Sequence, residues 1–146
     1  KNAILDRITI GTKEIFKDAN LIIEAVKENM QIKKETFKEL DSIVPANCMF
    51  ASNTSSLSVT EMSNGLSRPV IGMHFFNPAP VMQLVEVIRG ELSTDEQVAK
   101  IIEIAKDIGK DPVEVNESAG YANGTIPACR LCRSRYMPCT HGNLAA

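Results

Sequence analysis

Along residues 21–115, short apolar runs alternate with longer amphipathic stretches, and this alternation constrains the fold more than any other feature. Leu21-Ile22-Ile23, continuing into Glu24-Ala25-Val26, has the pattern of a buried parallel strand. From about Asn29 to Ile43 the period changes. Met30, Phe37, Leu40 and Val44 recur at helical steps with Lys and Glu between them, and Pro45 and Asn47 end the helix. Cys48-Met49-Phe50-Ala51 reads as a second strand, and Ser52 to Ser56 as the polar turn at its end. A short helix is expected over Val59–Met62, closed by Gly65. Val70-Ile71-Gly72-Met73 is a third strand ending at His74. Two prolines, which lack N–H donors, make Asn77-Pro78-Ala79-Pro80 a loop. Leu84 to Ile88 is a fourth strand, and Pro112-Val113-Glu114-Val115 a fifth. Between them Ser93 and Glu96 suggest a capping box for a helix running to Ile108, with Val98, Ile101, Ile102, Ala105 and Ile108 on one face and Gly109 closing it. Strands that alternate with helices argue for an α/β domain with a largely parallel sheet.

A chain of 146 residues with 44% hydrophobic content is long enough for one domain with a real core. No stretch approaches the ~20 apolar residues of a membrane span. No basic-then-apolar leader opens the chain, and it begins with Lys1, which raises the expectation that residues precede it. The formal net charge of −2 gives no reason to expect nucleic acid as a partner. Charge is unevenly placed: residues 1–120 carry 13 Lys and Arg against 18 Asp and Glu, whereas residues 121–146 carry Arg130, Arg133 and Arg135 and no acid. Cys129, Cys132 and Cys139 also fall in that tail, leaving Cys48 alone in the body, as suits a disulfide-free core in a reducing cytoplasm.

In an open α/β sheet, ligands bind outside the carboxyl ends of the strands. Glu28, the turn Asn53–Ser56 and the stretch His74–Asn77 all map to that edge. Each has a plain reading beside the functional one. A histidine among Met73, Phe75 and Phe76 is commonly a half-buried structural residue. Glu86 interrupts an apolar strand, so it either has a buried partner or faces solvent from an edge strand. Ser55 or Ser56 would serve as a helix cap, and Asn77 before Pro78 is a common turn. Glu28 and Lys33 read as a first-turn charge and a solvent-facing helix charge.

Taken together, these residues carry a resemblance. Gly72-Met73-His74-Phe75-Phe76-Asn77-Pro78-Ala79-Pro80-Val81-Met82-Gln83-Leu84-Val85-Glu86-Val87-Ile88 looks like the signature of the 3-hydroxyacyl-CoA dehydrogenase family, nearest its bacterial 3-hydroxybutyryl-CoA branch. Ile23-Glu24-Ala25-Val26-Lys27-Glu28-Asn29, Ala51-Ser52-Asn53-Thr54-Ser55-Ser56-Leu57 and Gly109-Lys110-Asp111-Pro112-Val113 resemble the same family in the same order. The resemblance covers roughly residues 1–121. It implies the C-terminal part of a Rossmann-like dinucleotide-binding domain, and hydride transfer between C3 of an acyl-CoA and NAD or NADP. By position it implies that His74 is the acid–base residue, an imidazole whose ordinary pKa suits that work. It further implies that Glu86 pairs with His74, that Ser55 contacts the substrate oxygen, and that Asn77 holds substrate and nicotinamide. Glu28 and Lys33, with Ser55 and Asn77, match positions that contact the dinucleotide. No metal is implied. The implied protein is a cytoplasmic enzyme of butanoate or fatty-acid metabolism, acting on an acyl-CoA as a homo-oligomer.

The resemblance stops at both ends. No G-x-G-x-x-G turn is present to cradle a pyrophosphate, so the first strands of the domain are expected to lie before Lys1. After Gly120-Tyr121 the sequence does not read as the family's helical domain, and residues 122–146 are expected to be a disordered or frame-shifted tail. The 146 residues alone are therefore expected to be inactive. Two alternatives remain: a non-catalytic relative of the same fold, and a zinc-binding module in the tail built from Cys129, Cys132, Cys139 and His141, at a compressed spacing.

Overall fold

The computed structural model describes residues 5–117. They form a five-stranded sheet whose spatial order follows chain order: β1 (Leu21–Glu24), β2 (Met49–Ser52), β3 (Val70–Phe75), β4 (Leu84–Arg89) and β5 (Asp111–Asn116). The helices are α1 (Met30–Asp41), α2 (Val59–Ser63) and α3 (Asp95–Asp107), and a 3-10 helix over Lys13–Asp18 precedes β1. The fold is thus α/β and Rossmann-like, as expected. The expected tail boundary at residue 121 and the cysteine-rich set at Cys129, Cys132, Cys139 and His141 lie outside the described residues.

Parallel pairing joins β1 to β2, β2 to β3 and β4 to β5, but β3 and β4 run antiparallel. Connection length is the reason. A parallel crossover needs about a dozen residues or more, usually a helix. Helices α1, α2 and α3 lie in the parallel connections, whereas β3 and β4 are joined by residues 76–83 alone. The reversal extends β3 beyond the expected strand: Phe75 pairs with Val85 and His74 with Glu86, so His74 sits inside the strand and not past its end.

The sheet separates two apolar clusters. One side packs Ile22, Phe50 and Val70 against Phe37, Leu40 and Met62 of α1 and α2. On the other, Ala51, Ile71, Met73, Val85 and Val87 meet Val98, Ile101 and Ala105 of α3. Alternate residues of each strand point to opposite faces, so one four- to six-residue strand supplies both clusters.

Helix starts follow capping chemistry. The Asn29 side chain accepts from the Ile32 N–H, which makes Asn29 the cap of α1 and leaves Glu28 in the preceding loop, not in the first turn. For α3 the expected box of Ser93 and Glu96 is displaced by one residue: Thr94 and Gln97 form it. The Ser93 hydroxyl instead accepts from the Gly90 N–H in the turn after β4, so it is already used. Ser58, neither Ser55 nor Ser56, caps α2 by accepting from the Glu61 N–H.

Candidate active site

The antiparallel register places His74 directly opposite Glu86, with both side chains on one face. His74 Nδ1 lies 2.9 Å from Glu86 Oε2. An ionised carboxylate only accepts, so Nδ1 carries the proton and donates, leaving Nε2 as the other ring nitrogen. Glu86 is buried, its strand flanked by β3 and β5, which removes the edge-strand explanation for its charge. The His74 ring rests against Phe76, with centroids 4.7 Å apart. Two residues back on the same face, Gly72 faces Ile88; a Cβ on Gly72 would lie 2.4 Å from Ile88 Cβ. A side chain there would push β3 and β4 apart immediately beside the histidine–carboxylate pair.

A second polar group forms beyond the ends of β1 and β2. Glu28 Oε1 accepts the Thr54 hydroxyl at 2.5 Å and the Ser55 N–H at 3.0 Å. Lys33 Nζ lies 3.3 Å from the other Glu28 oxygen. Partial burial pushes the Glu28 pKa up, but the bonds from Thr54 and Ser55 and the Lys33 charge outweigh it, so its carboxyl sits below the ordinary value of 4.5. Lys33 is not the solvent-facing charge of the plain reading. Its side chain is fully buried, and its ammonium binds both oxygens of Glu24 at 2.8 and 2.9 Å.

Glu28, Lys33 and Ser55 therefore form one connected group, and His74 and Glu86 another. Asn53 bridges toward the second: its side-chain oxygen accepts the Phe75 N–H, next to His74. Asn77 is exposed and follows His74 by three residues, joined to Pro78 by a cis peptide bond. Lys110 donates to the carbonyls of Ala79 and Met82, which ties down the loop that Asn77 opens.

The sequence reading missed Glu24, Thr54 and Asn53 as partners. A signal existed for the first. Met30, Lys33, Phe37 and Leu40 share one helical stripe, so Lys33 occupies a core position of α1 and needs a buried partner. Glu24, the acid that ends an otherwise apolar strand, is that partner. Thr54 and Asn53 gave no comparable signal, because their roles depend on loops meeting in space.

Among the described residues, no group of three or more His, Cys, Asp or Glu could hold a metal ion, and no helix is long and apolar enough to cross a membrane. The sequence profile described as "3-hydroxyacyl-CoA dehydrogenase, NAD binding domain" matches residues 1–118. A 3-hydroxybutyryl-CoA dehydrogenase of Clostridioides difficile is 48% identical over 129 residues, covering 86% of this chain and 46% of that protein. A probable 3-hydroxybutyryl-CoA dehydrogenase of Bacillus subtilis is 46% identical over 127 residues, covering 85% and 44%. The crystal structure of (S)-3-hydroxybutyryl-CoA dehydrogenase from Ralstonia eutropha superposes with a TM-score of 0.78 at 42% identity, over 82% of this chain and 43% of that one. The chain thus spans somewhat less than half the length of these relatives. A histidine–carboxylate pair and a polar rim at the carboxyl edge of the sheet, on a chain that the profile matches throughout its described residues, place it in the family of 3-hydroxyacyl-CoA dehydrogenase NAD-binding domains.

Proposed function

We propose that these residues are the catalytic half of the nicotinamide-binding domain of a dehydrogenase that interconverts a short-chain 3-hydroxyacyl-CoA, such as 3-hydroxybutyryl-CoA, with its 3-oxo form. The observation that carries this reading is the 2.9 Å bond between His74 and the buried Glu86 on paired strands. The nicotinamide, when bound, accepts or supplies the hydride at C3. His74, through Nε2, takes the proton of the 3-hydroxyl in oxidation and returns it in reduction. Glu86 fixes the ring orientation and favours the protonated ring that forms. Ser55 donates to the substrate oxygen, and Asn77 holds substrate and nicotinamide together.

The polar rim fits the nicotinamide-ribose half of a dinucleotide. The Glu28 carboxylate accepts and is part-exposed, while the exposed Ser55 and Asn77 offer a hydroxyl and an amide, the partners that ribose hydroxyls and a carboxamide need. Lys33 acts behind this rim, through Glu28, since its own side chain is buried. The family is an NAD-binding one; use of NADP is the alternative to test. Matches to 3-hydroxybutyryl-CoA dehydrogenases and to a fatty acid oxidation complex subunit support a role in butanoate or fatty-acid metabolism with an acyl-CoA as partner, and the reading completes this with a homo-oligomeric full-length enzyme in the cytoplasm.

The test is turnover by the full-length protein that carries these residues. With acetoacetyl-CoA, consumption of NADH is expected, and His74→Gln should abolish most of it. Wild-type protein that binds NADH yet leaves acetoacetyl-CoA untouched would refute the reading, and parallel assays with NADPH fix the cofactor.

A further inference from the structure

We infer that Glu24 and Lys33 are positioning residues of the nucleotide-facing rim: the buried Glu24 carboxylate clamps the Lys33 ammonium, and Lys33 in turn holds Glu28 and the Thr54–Ser56 turn in place. The inference rests on the dehydrogenase reading for what the rim binds, but the geometry stands independently of it.

Glu28 lies in the loop between β1 and α1, outside regular structure. Such a side chain needs a tether to hold one geometry. It has tethers from two directions. Thr54 Oγ1, Ser55 N and Ser56 N donate to its Oε1, and Lys33 reaches its Oε2. Glu28 therefore joins the loop after β1 to the loop after β2, and Lys33 is the support beneath the joint. Lys33 also lies 3.4 Å from the Asn53 carbonyl, and the Asn53 N–H donates to the Glu24 carbonyl.

A lysine has four flexible carbons and a strongly hydrated head. Glu24 removes that freedom. Its two oxygens bind Nζ together, one also accepts the Val26 N–H, and the other accepts the Ser52 hydroxyl at 2.6 Å. Every element around the ammonium contributes: β1 gives Glu24, β2 Ser52, and the following loop Asn53.

Stability alone is a poor explanation for this arrangement. Taking both charges out of water is expensive, and apolar residues of similar size often do as well or better at such a site. The stripe of Met30, Phe37 and Leu40 around Lys33 would accommodate one. What an apolar pair would not supply is a fixed positive charge 3.3 Å from Glu28. The lowered Glu28 pKa is consistent with that charge.

The test compares Lys33→Met with the double variant Glu24→Gln/Lys33→Met in the full-length protein. Lys33→Met strands a buried carboxylate and should lower stability. The double variant removes that stranded charge, while the Gln oxygen still accepts the Val26 N–H and its amide nitrogen donates to the Ser52 hydroxyl, so stability should return. Positioning should not return. The KM for NADH is expected to stay raised by on the order of tenfold, the scale of one lost charge-assisted hydrogen bond, with kcat changed less. The Glu28 titration midpoint, followed through the Ser55 and Ser56 amide resonances, should also stay higher than in wild type. If the double variant recovers wild-type KM and the wild-type Glu28 midpoint, the pair is a stabilising element only and the inference fails. It fails equally if the double variant does not fold. If wild-type protein shows no dehydrogenase turnover, the functional reading fails, and the Glu28 midpoint still decides the positioning role.

Discussion

Two of the nitrogen–carboxylate contacts, Lys33 with Glu24 and His74 with Glu86, have similar lengths and different surroundings. Lys33 and Glu24 meet at 2.8 Å with side chains 0% and 1% exposed, sealed between α1 and the ends of β1 and β2. His74 and Glu86 meet at 2.9 Å with side chains 16% and 8% exposed, so the histidine keeps partial access. Sealing suits a contact that must not change, because every polar atom is satisfied and no proton needs to enter. Partial opening suits a group that exchanges protons, because Nε2 must be reachable while Nδ1 is held. The difference teaches that burial of the nitrogen-bearing side chain, more than the presence of a carboxylate partner, separates support from chemistry here.

The largest expected effect breaks the open pair. In the full-length protein, His74→Gln should lower turnover by ~10²–10⁴-fold, the range of general acid–base help, and leave NADH affinity nearly unchanged. Steady-state rates and a direct binding titration measure the two. A variant that retains near-normal turnover would remove His74 from the chemistry.

Glu86→Gln should cost less, because the amide keeps a hydrogen bond to the ring while losing the charge. In a double-mutant cycle the His74→Gln/Glu86→Gln protein should be about as slow as His74→Gln alone, the behaviour of residues acting as one unit. Rate losses that multiply would mean that Glu86 works independently of the histidine.

Gly72→Ala sharpens the comparison from the side of packing. Its Cβ would meet the Ile88 Cβ and side chain at 2.4–2.9 Å. Overpacking of this kind costs about 1–3 kcal/mol. Because the strain lies between β3 and β4, it should disturb the His74–Glu86 contact and not the Lys33–Glu24 contact. Denaturation midpoints and turnover should therefore both fall, while the Glu28 titration stays as in wild type.

The smallest effect concerns Glu28. Its pKa is lowered in the folded state, so its contribution to stability is present above the ordinary value of 4.5 and is lost as pH falls through the lower folded value. Glu28→Gln should lower stability slightly at neutral pH and flatten the acid limb of the curve, so that variant and wild type converge at low pH. Chemical denaturation across the acid range checks the sign: a variant more acid-sensitive than wild type would contradict the bonds from Thr54 and Ser55.

Much of this was legible in the order of residues. Apolar runs and helical stripes located all five strands and the three helices, because periods of 2 and 3.6 are local properties of a chain. Glu86 announced itself as a carboxylate inside an apolar strand, a group that needs a partner unless the strand lies at a sheet edge and turns it to solvent. Its partner, however, was fixed by register. Only the antiparallel turn of residues 76–83 sets His74 opposite Glu86 and gives β4 an interior place in the sheet. Lys33 shows the same division more sharply. The sequence put a lysine on the apolar stripe of α1, and tertiary structure decided that the stripe faces the sheet where Glu24 ends β1. Likewise, a Thr and two Ser in a turn are common, and their binding to Glu28 depends on two loops that lie 26–28 residues apart in sequence meeting at one sheet edge. The sequence by itself thus determined the elements, the charges set within apolar runs and stripes, and the family resemblance. The pairing of those charges was decided by tertiary structure, because hydrogen bonds and ion pairs act over about 3 Å in space, whatever the separation along the chain.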